Sequence, residues 1–347
     1  MAIVTLNLVN VNTETECRPA NCPHCGSSLL QGWGRVRKPI RDPQIREVEV
    51  RRFRCCDCER TFRHYPEGVG PANQSMRLQQ LAAICWVMGL SLRRVTAVLG
   101  AFGIPLCHMS VWRDVQTLAE AWKLPPPPTG VRVLGVDGFY ASIKGQDSGM
   151  MVAVDMGSGQ PVALACIDEK DRPALFAWLE ALQEQLGVVV MVSDDFNPYF
   201  VAAQRLGLEH QICRFHYLRW VKRLLNTLQK ALDEQWTPLL DEVRLLLDEL
   251  PPEGGARIYQ LYRQLPTPPR DRNRAVPPLA RLQKLLLRLS DNWSSYRHFC
   301  EQAGVPATNN ATERVIGRWR TRSRSVRGFK TWSGLVNAFI LCNAPLI

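Results

Sequence analysis

Apolar positions along the chain change period twice, and the changes divide it into three stretches. Up to about residue 70 the pattern is short and alternating, as in VEVRRFRC, which predicts brief strands. From 71 to 128 the spacing becomes three and four, with Leu78, Leu81, Ala82, Cys85 and Trp86 on one helical face. GLS at 89–91 restarts a helix and IPLCHMS leads into a third, with Ser91 and Ser110 as candidate caps. Beyond 129, VRVLGVD, GMMVAVDM and PVALACI are apolar runs of strand length, followed by a helix-like DRPALFAWLEALQEQL. GVVVMVSD reads as a buried strand. PYFVAAQRL, EHQIC and FHYLRWVKRLLNTLQKAL then repeat helix, strand, helix. Three strands followed by alternating helices and strands suit an α/β mixed sheet flanked by helices. Residues 217 to about 305 are Leu-rich, broken only at LPPEGGA and QLPTPPRDRNRAVPP, and predict an all-helical insertion.

The domain limits follow from the breakers. EGVGPAN at 67–73 and LPPPPTG at 124–130 form neither helix nor strand readily, and the four consecutive prolines of the second predict a stiff linker. The expected regions are 1–70, 71–128 and 129–347. No run approaches 18 apolar residues, and the opening MAIVTLNLVNVNTETEC has neither the charged nor the apolar segment of a signal peptide. The expectation is a cytoplasmic protein without a membrane partner.

Charge changes this picture. The 43 Lys and Arg exceed the 32 Asp and Glu, a formal net charge of +11 over 347 residues, which favours a polyanion. The surplus is local. Arg35, Arg37, Lys38, Arg51, Arg52 and Arg54 crowd the first region, and Arg314, Arg318, Arg320, Arg322, Arg324, Arg327 and Lys330 follow one another with no acid between them. Double-stranded DNA is the expected partner. In the second region Ser91, a turn containing Gly103 and Pro105, and Ser110 have helix-turn-helix spacing, which would place Val111, Trp112, Arg113 and Gln116 on a recognition helix.

Twelve cysteines in such a chain point to metal rather than disulfides, because four stand as Cys22-x-x-Cys25 and Cys55-x-x-Cys58. Paired thiolates on two tight turns meet the requirement of a closed tetrahedral Zn²⁺ site, so one structural Zn²⁺ in a zinc ribbon is expected. Cys17, His24 and Cys56 are alternative ligands. Asp137 ends the strand VLGVD and Asp194 ends GVVVMVSD, while Glu313 falls in the first turn of a helix capped at Asn309 or Asn310. Carboxylates at neighbouring strand ends share divalent cations, and three acids so placed could hold two. Asp147, Asp155 and Asp168 are rivals to Asp137 but sit in or beside turns. Trp236 and Trp293, at helical spacing, read as core rather than as platforms for bases.

GVDGFYASIKG, VSDDFNPYF, QICRFHYLRW and TNNATERVIGRWRTRSRSVRGFKTW occur in that order, and together they resemble the catalytic domain of bacterial insertion-sequence transposases related to the Mutator-like group. The resemblance covers roughly 129–347. It implies an RNase H-like fold with helices inserted between the second and third acids, preceded by a zinc ribbon and a helix-turn-helix. It also implies a DDE triad of Asp137, Asp194 and Glu313 holding two Mg²⁺ or Mn²⁺ ions. The implied activity is cleavage at the ends of a mobile element and joining to target DNA, in an oligomer that pairs two ends. Cys213 and His216 match the group's Cys-x-x-His signature, next to the site. A glycine usually follows the second Asp, whereas Asp195 stands here, so Asp194 and Asp195 both remain candidates, with Asp194 favoured. A silent relative acting as a DNA-binding regulator is the alternative.

Overall fold

The computed structural model describes residues 8–15, 17–121, 130–267, 276–326 and 328–344. Most of the proline run expected to act as a stiff linker, 124–129, lies outside them. The chain divides into two units, one within 1–123, 142–146 and 317–347, the other within 124–141 and 147–316.

In the first unit the alternating N-terminal pattern forms an antiparallel sheet of β1 (Leu30–Pro39), β2 (Glu47–Cys55) and β3 (Thr61–His64), in that order. Its cores are small. Leu30, Phe53 and two cysteines make one, with Phe62 stacked on Phe53 at 5.9 Å, and Val11, Ile40, Val48, Val50 and Val69 make the other. A core of that size needs a staple. One is a polar bracket at Asp42, which is fully buried. It accepts from the amides of Gln44 and Ile45 at 2.8 and 3.0 Å, from Ser75 Oγ at 2.5 Å and from Arg77 Nη2 at 2.6 Å. Burial alone would raise the Asp42 pKa, but Arg77, Ser75 and the two amides outweigh it and hold the carboxyl below its ordinary range.

Ser75 also caps α1 (Met76–Val87) by accepting from Leu78 N. The bracket therefore fixes the ribbon to the helices. Ser91 caps α2 (Leu92–Ala101) as expected, and Gly103, at φ +72°, turns the chain after it. The expectation for Ser110 fails. α3 (His108–Ala121) begins two residues earlier, with Ser110 N and Val111 N already donating to Cys107 O.

In the second unit the apolar runs become β4 (Val133–Ile143), β5 (Gln146–Asp155), β6 (Pro161–Ala165), β7 (Val190–Ser193) and β8 (Glu209–Ile212), in the spatial order β6-β5-β4-β7-β8. β4, β7 and β8 run parallel to one another, and β5 and β6 are antiparallel. A three-strand meander followed by two parallel strands across the first is the mixed sheet that the element order implied, in the RNase H-like arrangement that the resemblance implied. The crossovers are α4 (Arg172–Leu186), capped by Asp171 and ended by left-handed Gly187, and α5 (Asn197–Leu206). Leu175, Leu179, Tyr199 and Ala202 from these helices close over Leu134, Val136, Met151 and Met191 of the sheet.

α6 (Arg214–Gln229) opens the helical insertion, continued by α7 (Thr237–Glu249), α8 (Gly254–Arg263), α9 (Pro278–Asp291) and α10 (Trp293–Glu301). The insertion has a core of its own in which Leu225, Leu240, Ile258, Leu282 and Leu286 are buried. Trp293 belongs to that core. Its ring lies against Gly254 and Gly255, where any side chain would overlap it, and its Nε1 donates to Pro251 O at 2.8 Å. Trp236 packs half-buried on the same core.

α11 (Asn310–Ser323) and α12 (Trp332–Asn343) end the described chain. α12 departs from the expected region 129–347. Its Ala338 and Leu341 are buried with Leu78, Val95 and Val115 of the N-terminal helices, because an almost wholly apolar helix must be covered on most sides. No helix of the described residues is long and apolar enough to cross a membrane.

Asp42→Asn is expected to cost about 3 kcal/mol, because it leaves Arg77 without its buried partner. Chemical denaturation measures this. The depressed pKa fixes the sign with pH: the contribution is present above the unfolded value near 4 and lost as pH falls below it, so the gap between wild type and variant should close in acid.

Candidate active site

The parallel register pairs Val133 with Val190, Leu134 with Met191 and Gly135 with Val192. The same offset carried two residues further sets Asp137 beside Asp194. Asp137 does not end its strand as expected, since β4 continues to Ile143, but it lies just past the last residue paired with β7. β7 itself ends at Ser193, and both Asp137 and Asp194 are half-exposed. Asp137 Oδ1 accepts from Gly138 N at 2.8 Å.

Glu313 reaches the same place through the segment before α11. Asn309, fully buried, donates from Nδ2 to Val136 O at 2.9 Å, and its own amide points at Cys213 Sγ at 3.3 Å. Arg214 N donates to Ala307 O at 2.8 Å. Gly135 permits the approach: a Cβ there would overlap Thr312 Oγ1 and Met156 Sδ. Cys213, buried and tied through its amide to Ser193 O, also starts α6, which puts His216 on the first turn. The imidazole stands between two acids, Nδ1 at 2.5 Å from Asp194 Oδ1 and Nε2 at 3.2 Å from Glu313 Oε1. Asp194, Cys213 and His216 form one group whose ligand atoms lie within 4.8 Å of one another.

The adjacent Asp195 turns the other way. It is 10% exposed and ion-paired with Arg288 of α9 at 2.6 Å, and that guanidinium also stacks 4.9 Å from the Trp220 ring centre. Asp195 thus anchors the insertion, and Asp194 meets His216. Of the rivals, Asp155 is consumed in a turn with Gly157 and Ser158, Asp168 accepts from Tyr140 Oη and Lys170 N, and Asp147 is exposed.

Glu169 is a member of the neighbourhood that the sequence reading missed. Its Oε2 would stand 2.7 Å from a Cβ on Gly138, and Tyr199 Oη donates to it at 3.3 Å. Burial first, and then the negative charges of Glu169, Asp137 and Asp194, push the Tyr199 phenol far above its ordinary range. Nothing in the string IDEKD separates Glu169 from a solvated turn acid.

At the other end of the chain, the four expected cysteines converge. Cys22 and Cys58 sulfurs are 3.7 Å apart, Cys25 and Cys55 3.5 Å, and all four lie within 4.8 Å of one another. Amides of Cys58 and Asp57 hold the Cys55 thiol down, while the neighbouring sulfurs of Cys55 and Cys58 push the Cys25 thiol up, so that one thiol of this pair gives up its proton before the other. Cys17, His24 and Cys56 stay outside the cluster. Four soft donors at these separations fit a tetrahedral ion with no position left for water.

The basic and recognition residues divide. Arg113 is exposed and Trp112 half-buried on α3, but Gln116 is engaged by Asn337 Nδ2 of α12. Arg314, Arg318, Arg320, Arg324 and Lys330 are exposed. Arg322 is not free for phosphate as expected: it is buried, stacked 4.1 Å from the Trp86 ring centre, and donates to Leu90 O. Arg327 lies outside the described residues.

Comparison with known families bears on the part of the chain that carries Asp194, His216 and Glu313. Residues 177–336, just under half of the chain, match the family model described as Transposase IS66 family, a span that includes Asp194, His216 and Glu313 but not Asp137. No curated protein matches the chain. Among solved structures it is similar to a chain of the cryo-EM structure of the simian T-cell lymphotropic virus intasome in complex with PP2A regulatory subunit B56 gamma. The identity is 12%, over 66% of this chain and 72% of that one, and the TM-score of 0.22 gives the likeness no weight.

Gly135→Ala should force the segment carrying Asn309 and Thr312 off β4, at a cost of about 1–3 kcal/mol. Thermal or urea unfolding reads the cost. The cysteine cluster, made by other elements, should keep its geometry.

Proposed function

We propose that this chain is a DNA transposase of an insertion sequence, which binds the ends of its element, cleaves them and joins the freed 3′ ends to target DNA. The observation that carries the reading is His216 standing between two acids from distant parts of the chain, Asp194 and Glu313. Extended two residues past its last pair, the β4–β7 register would set Asp137 beside Asp194 as well. The family-model match over 177–336 supports it.

Asp137, Asp194 and Glu313 present hard carboxylate oxygens suited to Mg²⁺ or Mn²⁺. Two such ions, when bound, would activate water or a 3′-hydroxyl as nucleophile and stabilise the leaving oxygen. His216 holds two of the acids in one orientation, Asn309 and Cys213 fix the segment that delivers the third, and Asp195 secures the helical insertion through Arg288. No side chain is required as a covalent intermediate. Cys22, Cys25, Cys55 and Cys58 would hold one structural Zn²⁺ and so keep the arginine-rich ribbon folded. The ribbon, Arg113 on α3, and the exposed arginines of α11 would neutralise phosphates of double-stranded DNA. Pairing two element ends calls for at least two copies of the chain, acting in the cytoplasm on nucleoid DNA.

An excision and integration assay on a donor carrying the gene's native flanks tests the reading. Wild type should give joined products in Mg²⁺ or Mn²⁺, and Asp137→Asn, Asp194→Asn and Glu313→Gln should each bind the ends but fall to background cleavage. Asp195→Asn should retain the chemistry and lose stability instead. If wild type binds the ends and never cuts, a DNA-binding regulator replaces the enzyme. Cys58→Ser should release the single zinc, seen by a colorimetric chelator, and weaken end binding severalfold or more.

A further inference from the structure

Glu169 lies in the connection between β6 and α4, where the backbone is closely constrained. Asp168 accepts from Lys170 N through its side chain and from Asp171 N through its carbonyl, and Asp171 in turn caps α4. That turn sends neighbouring side chains apart. Asp168 meets the Tyr140 hydroxyl, and Lys170 Nζ sits 5.8 Å from the same ring's centre. Glu169 goes inward and lies over Gly138, one residue beyond Asp137.

The position is one an acid would avoid without a reason. The carboxylate is half-buried, and burial first, then Asp168 and Asp194, raise its pKa. The Tyr199 hydrogen bond and the neighbouring ammonium of Lys170 only partly offset this. No ion pair to Glu169 is present among the described residues. Its hydrogen bond comes from Tyr199, a fully buried phenol whose environment also includes Asp137 and Asp194. A glycine that leaves room, a buried hydroxyl that aims one oxygen, and like charges around it all describe a ligand set waiting for a cation.

We propose that Glu169 is a fourth carboxylate of the acidic centre, directed at the same divalent ions as Asp137, Asp194 and Glu313, with Tyr199 as its positioning residue. The proposal rests on the reading of that centre as a divalent-metal site. Glu169 would add a negative charge and an oxygen donor, direct or through a bound water, on the β4 side of the site. Gly138 is then required because any side chain there evicts Glu169, and not because the backbone needs glycine.

The test is Mn²⁺ binding by the zinc-loaded full chain, followed by electron paramagnetic resonance or calorimetry, so that no DNA chemistry enters the readout. Wild type is compared with Glu169→Gln, Gly138→Ala, the double variant, Tyr199→Phe and Asp194→Asn. Glu169→Gln should weaken Mn²⁺ binding on the order of tenfold. Gly138→Ala should weaken it alike, and the double variant no further, since both act through one group. Tyr199→Phe should cost less. Without Mn²⁺, Glu169→Gln should melt no lower than wild type, because it relieves like-charge repulsion, and Mn²⁺ should raise its melting temperature by less. If Glu169→Gln binds Mn²⁺ as wild type does while Asp194→Asn loses it, the fourth carboxylate is refuted and the centre stands. If Asp194→Asn also binds as wild type does, the centre itself, and Glu169 with it, is refuted.

Discussion

Like-charged carboxylates repel, so the structure around Asp137, Asp194 and Glu313 depends on uncharged contacts strong enough to hold them together. Buried Asn309 is the chief of these. One side chain satisfies the carbonyl of Val136, next to Asp137, while the same residue's amide is held at Cys213, at the start of the helix that carries His216. A buried hydrogen bond adds about 1 kcal/mol net, but leaving its partners unpaired costs more, and that asymmetry makes the docking specific. Gly135 completes it by subtraction, because the helix can approach the strand only where no side chain intervenes.

The same economy recurs on other scales. Asp195 is neutralised by Arg288, which frees the acid beside it to face the centre. His216 places one ring between two carboxylates. In the N-terminal unit, Asp42 gathers two amides, a hydroxyl and a guanidinium, and so joins a ribbon with little core of its own to the helix that follows. Asp42 is buried with its partners in place, the condition under which burial of a charged group is tolerated. The ribbon's remaining deficit is of the kind a metal makes good, and four sulfurs stand where one would bind.

Much of this was legible in the residues themselves. Hydrophobic period separated ribbon, helices and α/β sheet because a side chain's burial follows from its own backbone geometry. The paired Cys-x-x-Cys spacing identified the sulfur cluster because two tight turns fix each pair locally. The ordered motifs pointed to Asp137, Asp194 and Glu313, which lie on β4, just past the end of β7 and in the first turn of α11. What local pattern could not decide was which identical chemical group faces which way. Arg322 reads like its neighbours on α11 but is buried over Trp86, Gln116 reads as a base reader but is taken by Asn337, and α12 reads as the end of the last region but packs with the first helices. Asp194 was favoured over Asp195 without a partner for either, and only the structure pairs Asp195 with Arg288; Glu169 carried no mark until Gly138 and Tyr199 were seen around it. The sequence by itself determined elements, their order and the chemistry available, since those depend on neighbours along the chain. Tertiary structure decided exposure and partnership, since a carboxylate or guanidinium takes its role from groups a hundred residues away.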